Sequence, residues 1–397
     1  MKNNRRDFLK TAIATAAAGA IPGSLMLASR AASAADPVKV GILHSLTGTV
    51  AIAEAHVVDA EKLAIDEINA AGGVLGRQIQ PIVEDGASDW PTFAEKAQKL
   101  VESDKVAAVF GCYTSASRKA VLPVFERYNG LLYYPTYYEG LEMSKNIMYT
   151  GQEATQSVIP AVNWLAKNKG KKFYLIGSDY IWPRTTNRIA HPTIAKAGGT
   201  VVGEDYFPLG TVEFSSVINK IKAAKPDVIL STIVGGSNVA FYKQLNSVGI
   251  TGQNQPIMAL AVTEEEAIGI GRDNLTGVFS CMGYFQSVQN PVNAKFVPAF
   301  KAKYGADRVI GDTMEAAYTS VYLWKLAAEK AKSFDVEKVV AASSNLGWDA
   351  PEGQIHFHVS NHHLWKHARI GAFKPDGQVD ILYESPLIEP NPFPKLG

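Results

Sequence analysis

Cysteine is nearly absent: Cys112 and Cys281 are the only two in 397 residues. That excludes a disulfide framework and a cysteine-rich zinc site. An excess of one charge sign is also missing. Lysine plus arginine number 39 and aspartate plus glutamate 38, a formal charge of +1. The chain therefore lacks the basic field that nucleic-acid binding needs. It has no G-x-S-x-G elbow, no Walker sequence and no G-x-G-x-x-G after the first apolar run; Gly269-Ile270-Gly271 is a weak match in the wrong context. What is there is a globular composition, 47% hydrophobic and 19% charged. The length suits two or three domains of roughly 150 residues, with a large core that needs no staples.

The first residues read as a targeting segment. Arg5-Arg6-Asp7-Phe8-Leu9-Lys10 precedes an alanine-rich stretch from Thr11 to Ala28 and an Ala32-Ser33-Ala34 site, so cleavage is expected before Ala35. The paired arginines resemble a twin-arginine export signal. The alternatives are an ordinary secretory signal or a membrane anchor, but the stretch is short and Ala/Gly-rich for a spanning helix. Removing residues 1–34 leaves 34 basic and 37 acidic residues, a net charge of about −3.

From Val38 onward, short apolar runs alternate with stretches of helical periodicity. Strands are expected at 38–43, 79–83, 106–110 and 131–134, with helices at 54–71, 91–101 and 117–128 between them. The pattern restarts after Thr150, with strands at 172–176, 200–206, 227–231 and 278–284 and helices at 156–167, 184–197, 214–223 and 239–248. Helices at 293–304 and 313–331 and a strand-like tail at 354–384 follow. This order implies an α/β chain of two doubly wound, parallel-sheet lobes. The expected lobes are 36–149 plus 286–346 and 150–285 plus 347–397, with crossings near 149–152, 284–287 and 345–349.

Ligands of open parallel sheets sit beyond the carboxyl ends of the strands. The loops there are unusual. Gly111-Cys112-Tyr113-Thr114-Ser115-Ala116-Ser117 opens a helix whose hydroxyl residues suit either capping, Ser117 above all, or binding of a ligand carbonyl. Tyr133, Tyr134, Tyr137 and Tyr138 crowd a proline turn; tyrosines mostly pack in cores, yet four in six residues are hard to place in one. Gly177-Ser178-Asp179-Tyr180-Ile181-Trp182-Pro183 opens another helix, with Asp179 a natural cap. The Thr232–Ser237 loop carries no charge. Cys112 has no histidine or lysine neighbour to form a thiolate, so a buried structural cysteine is the stronger reading. Five of eight histidines (His356, His358, His362, His363 and His367) lie in the tail. Their spacing allows a metal, but no acidic partner interleaves, and none is expected. No cofactor is expected either.

The loops and the two-lobe pattern together resemble the type I periplasmic solute-binding proteins of ABC transporters, in their urea- and short-chain-amide-binding branch. The strings that carry the resemblance are Val40-Gly41-Ile42-Leu43-His44-Ser45-Leu46-Thr47-Gly48-Thr49, Glu84-Asp85-Gly86-Ala87-Ser88-Asp89-Trp90-Pro91, Thr114-Ser115-Ala116-Ser117-Arg118-Lys119-Ala120-Val121, Gly177-Ser178-Asp179-Tyr180 with Pro183-Arg184, and Asn361-His362-His363. It covers essentially the whole mature chain. Gly111-Cys112-Tyr113, Pro135-Thr136-Tyr137-Tyr138-Glu139-Gly140 and Thr232-Ile233-Val234-Gly235 depart from the urea binders toward relatives that sense aliphatic amides.

The resemblance implies venus-flytrap closure of two lobes on a small neutral ligand (urea, acetamide or formamide), delivery to an inner-membrane permease, and a periplasmic location. The candidate ligand-binding residues are Tyr113, Thr114, Ser115, Tyr134, Thr136, Tyr180, Pro183, Thr232, Glu264 and Tyr284. Hydroxyls from Ser115, Tyr134, Thr136 and Tyr180 suit one carbonyl acceptor and NH₂ donors. Amino-acid binders of this fold hold the ammonium with an acid that the resemblance puts in the Thr232–Ser237 loop, where this chain has none, so a cleft without an ammonium partner is expected. Two rivals remain at this point: an exported amide hydrolase using Cys112, and a ligand-sensing receptor for amides.

Overall fold

A computed structural model describes residues 36–395; the export signal and its expected cleavage site lie outside the described residues. The first sheet has five strands: β1 (Val38–His44), β2 (Ile79–Asp85), β3 (Val109–Gly111), β4 (Leu132–Tyr134) and β5 (Ile147–Tyr149). All are parallel, in the order β2-β1-β3-β4-β5. From Val40 onward β1 is buried on both faces, which is why Val40–Leu43 reads as an apolar run. Phe110 and Tyr133 face the helix Asp312–Ala331 through Trp324, whereas Val109 and Leu132 face the helices Trp90–Gln98 and Ser115–Tyr128.

The second sheet begins with β6 (Lys172–Ser178), β7 (Thr200–Phe207), β8 (Val228–Thr232), β9 (Ile257–Ala259) and β10 (Phe279–Met282), again parallel. A small antiparallel sheet follows, made of β11 (Gly347–Ala350), β12 (Gly353–Phe357) and β13 (Leu364–Trp365). The hairpin of β14 (Arg369–Phe373) and β15 (Val379–Glu384) then extends the second sheet, whose order is β15-β14-β10-β9-β8-β6-β7. The chain thus has the expected α/β architecture, with two doubly wound lobes.

One expected boundary needs correction. Residues 347–365 do not belong with the second lobe. Ile355, Phe357 and Leu364 are buried in the first lobe's apolar cluster, Trp348 stacks on Tyr322, and His363 stacks on Tyr149. The third crossing accordingly falls at 366–368, between β13 and β14, and not at 345–349.

A buried charged knot ties the crossings together. Lys366 Nζ donates to Thr150 O on the first crossing at 2.9 Å and to Glu352 Oε1 at 2.5 Å. Asp312 Oδ1 accepts from Tyr284 N on the second crossing at 2.8 Å, and Glu315 Oε1 accepts from Glu352 N at 3.2 Å. Arg369 Nη2 reaches Glu352 O at 2.9 Å, and its Nη1 donates to Gly283 O. Lys366, Glu352, Asp312 and Glu315 are each at most 1% exposed. Burial, followed by the repulsion of Glu352, pushes the Glu315 carboxyl up to about 8. Burial likewise pushes Asp312 up to about 6, although the Lys366 charge opposes it.

Candidate functional site

The loop after β3 is bent by its backbone. Gly111 has φ +149°, and a Cβ there would meet Leu43 O at 2.1 Å, so only glycine fits. Cys112 follows in the left-handed region at φ +61°, its N–H donating to Leu43 O at 2.9 Å. A non-glycine residue held there is strained, a cost that clusters at binding sites. Past this turn the Tyr113 side chain reaches the facing lobe. Thr114 caps the helix Ser115–Tyr128, its Oγ1 accepting from Ser117 N at 3.0 Å. The cap is therefore Thr114 and not the expected Ser117.

Ser115 Oγ donates to Glu139 Oε2 at 2.5 Å and accepts from Arg118 Nη1 at 3.2 Å. Arg118, wholly buried, donates through Nε to Glu142 at 2.7 Å and through Nη2 to Glu139 at 3.4 Å. Its guanidinium also lies 4.8 Å from the Tyr134 ring centroid and 4.3 Å from that of Tyr138. Burial alone would raise the Glu142 carboxyl, but the Arg118 charge and hydrogen bond, with Lys119, hold it down at about 2. Tyr134 Oη donates to Tyr113 O at 2.7 Å, and Thr136 Oγ1 turns back to Cys112 O at 3.4 Å.

The second lobe supplies the facing wall. Tyr180 follows β6 and precedes the helix Ile181–Lys196. Burial first, then Tyr134, Tyr137 and Glu139 of the first lobe, push its phenol well above its ordinary range. The Trp182 ring lies 5.6 Å from that of Tyr137, and Tyr113 Oη, 3.0 Å from Tyr137 Oη, donates to Glu266 Oε1 at 3.3 Å. Glu266 opens the helix Glu264–Ile270, its Oε2 accepting from Thr263 N at 2.8 Å and Thr263 Oγ1 at 2.5 Å in a capping box. At the edge, His56 Nε2 lies 3.4 Å from Glu265, and Gly236 N donates to Thr49 O at 3.2 Å.

Of the candidate residues, Tyr113, Ser115, Tyr134 and Tyr180 converge, and Thr136 sits behind them. Pro183 lies in the first turn of the Ile181–Lys196 helix over Gly177, and Thr232 bonds Ile176 O at 3.2 Å beneath it. Two candidates point elsewhere. Glu264 accepts from Gln286 N at 2.8 Å on the second crossing, with burial pushing its carboxyl up to about 8. Tyr284 donates to Asn293 at 2.8 Å inside the first lobe.

Sequence reasoning missed Arg118, Tyr137, Glu139, Trp182 and Glu266 as site members. The cleft was expected to lack an ammonium partner, yet the Glu266 carboxylate faces it, arriving from the loop after β9 and not from the one after β8. The Thr263-x-x-Glu266 capping-box spacing in that strand-end loop was the available signal. Asp179 does not cap its helix; it pairs with Arg184 at 2.6 Å.

Cys112 is fully buried, and burial pushes its thiol up, away from the nucleophilic form. We expect iodoacetamide to leave Cys112 unlabelled in native protein at pH 8, and Cys112→Ser to bind ligand like wild type. Rapid labelling, or loss of binding in the variant, would contradict the assignment. The tail histidines scatter. His356 stacks on Trp365, His358 pairs with Glu389, His362 faces Ser144 O and His367 faces Ser385 O. His363 is buried against Tyr149 and Tyr138, and burial lowers its pKa to about 3.

Comparison with known proteins agrees with this geometry. A model of the periplasmic binding protein domain matches residues 38–397, and one of the twin-arginine translocation pathway signal sequence matches residues 2–22. The Leu/Ile/Val-binding protein homolog 8 of Brucella suis is 28% identical over 360 residues, 85% of this chain and 86% of its own. Among solved structures, a periplasmic binding protein from Burkholderia mallei has TM-score 0.80 at 18% identity, over 88% of this chain and 95% of its own. A leucine binding protein from Thermotoga maritima has TM-score 0.78 at 22% identity, over 87% and 98%. A solute binding protein from R. palustris in complex with benzoate has TM-score 0.79 at 19% identity, over 89% and 97%. With the family model spanning the whole two-lobed body and an export signal ahead of it, the chain belongs to the periplasmic binding proteins and is an exported binder, not an enzyme.

Proposed function

We propose that this protein serves an ABC transporter, capturing urea or a short-chain amide such as acetamide or formamide between its lobes and delivering it to an inner-membrane permease. In this reading the signal is cleaved before Ala35. The observation that carries the ligand class is the state of the cleft charges. Arg118 is already neutralised by Glu139 and Glu142, so an anionic ligand would lie beside Glu139 and Glu266 without a cation released to meet it. A neutral amide avoids that cost. The Tyr113–Glu266 and Tyr137–Trp182 contacts keep the walls close and favour a ligand of few heavy atoms. For urea, about four such atoms allow roughly 6 kcal/mol, or tens of micromolar.

A second reading, an amino acid, is favoured by Glu266 as an ammonium partner and by relatives named Leu/Ile/Val-binding. Thermal-shift and calorimetric titration with urea, formamide, acetamide, leucine and benzoate separates the two. Tight leucine or benzoate binding with no response to any amide overturns the first reading. Ser115→Ala and Tyr180→Phe, one hydroxyl from each lobe, are each expected to cost about 1–3 kcal/mol, or roughly six- to 150-fold in Kd. Both should reduce ligand-induced compaction in small-angle scattering, because a ligand shifts closure only through its differential affinity. Wild-type affinity in both variants would put the site elsewhere.

A further inference from the structure

Glu266 stands apart from the other polar groups of the cleft. Its Oε2 is saturated by the amide and hydroxyl of Thr263, at 2.8 and 2.5 Å. Its Oε1 faces across to the first lobe and receives one long bond, 3.3 Å from Tyr113 Oη. That hydroxyl has a second partner in Tyr137 Oη at 3.0 Å, so it can leave Glu266 without being stranded. Glu266 is 4% exposed, and a buried carboxylate oxygen has capacity for about two donors. The Ser115 and Tyr134 hydroxyls already donate their protons to Glu139 and to Tyr113 O, so what the first lobe turns to a ligand oxygen is the start of the Ser115–Tyr128 helix, where unpaired backbone N–H groups gather. A ligand whose oxygen meets the first lobe therefore turns its nitrogen toward Glu266.

Resting on the amide reading above, we infer that Glu266 Oε1 is the specificity-determining acceptor for a ligand N–H. The site accordingly selects unsubstituted amides and ureas over their N-alkylated isomers and over carboxylates. The same bond makes closure depend on the ligand, since Glu266 rides on the second lobe and the oxygen-binding groups on the first. Tyr113 holds the acceptor's place and shifts to Tyr137 on capture.

The glutamine variant inverts the chemistry at this point. In Glu266→Gln the side-chain oxygen is claimed by the Thr263 amide, so the NH₂ faces the cleft and an acceptor becomes a donor. Glutamine preserves the capping box, and the melting temperature of the variant monitors folding. Calorimetry on the mature protein is expected to show acetamide weakened tenfold or more, with acetate improving relative to acetamide. Wild-type acetamide affinity with an unchanged acetate-to-acetamide ratio overturns the inference. A second arm uses wild-type protein and three isomers, propionamide, N-methylacetamide and N,N-dimethylformamide, which carry two, one and no N–H. Affinity is expected to fall along that order, and equal binding of the first and last defeats the inference even if the variant does not fold. Failure of wild-type protein to bind urea, formamide, acetamide or propionamide defeats the amide reading itself, a different result from either.

Discussion

Lys366→Met is expected to destabilise the protein by about 3–5 kcal/mol near pH 8, because it removes the cation from a buried knot of three carboxylates. Asp312, Glu315 and Glu352 each already have one oxygen without a partner. The cost should depend on pH in a defined direction. The folded pKa of Asp312 is raised to about 6 from 3.8, and that of Glu315 to about 8 from 4.5. Groups raised in this way contribute stability that is present below the ordinary value and lost as pH rises through the folded one. Wild-type stability from these two groups therefore declines between about pH 4 and pH 8. Without Lys366 both carboxyls are pushed higher still, so the gap between variant and wild type should widen from pH 5 to pH 8. Denaturant unfolding at the two pH values measures it, and a gap that stays constant would show that Lys366 does not offset these charges.

Arg118→Met should damage both folding and binding. The side chain is buried, holds Glu139 and Glu142, and orients the Ser115 hydroxyl. The variant leaves Glu139 without its cation, while Glu142 keeps Lys119 Nζ at 2.8 Å; breaking a buried pair in this way costs about 3–5 kcal/mol. Glu142 sets the sign of the pH effect. Its folded pKa is depressed to about 2 from 4.5, so its contribution is present above the ordinary value and lost as pH falls through the folded one. The deficit of the variant should accordingly be full at pH 7 and shrink below pH 4. Ligand affinity should fall on the order of 100-fold, since Ser115 and Glu139 lose their common anchor. Arg118→Lys keeps the charge but loses the planar fork and the ring contacts with Tyr134 and Tyr138, so it should rescue only part of either effect. Full rescue by lysine would mean that charge alone matters there.

Most of the fold was legible because parallel strands buried on both faces leave apolar runs, and the intervening helices keep a 3.6-residue period. β5 and β9 were not anticipated, although β3 and β4, equally three residues long, were. The tail was legible as strands but not as members of a sheet. A period of two says that Ile355 and Phe357 share a face, but not that the face packs on the first lobe. The site was half legible for a related reason. Strand-end loops announce themselves, which is how Tyr113, Ser115, Tyr134 and Tyr180 became candidates. Of Glu264-Glu265-Glu266 the sequence singled out Glu264, and only tertiary packing reveals that Glu266 is the one buried against the opposite lobe.

The Tyr137–Trp182 contact also has an optical consequence. Trp182 presses its ring against the other lobe, whereas Trp90, Trp164, Trp324, Trp348 and Trp365 meet aromatic partners within their own. Separation of the lobes would put water in place of the Tyr137 ring beside one indole and leave the other five surroundings unchanged. The emission of this protein should thus carry a native reporter of lobe separation, readable without a label. A Trp182→Phe variant would silence that reporter while leaving the remaining tryptophans as an internal reference.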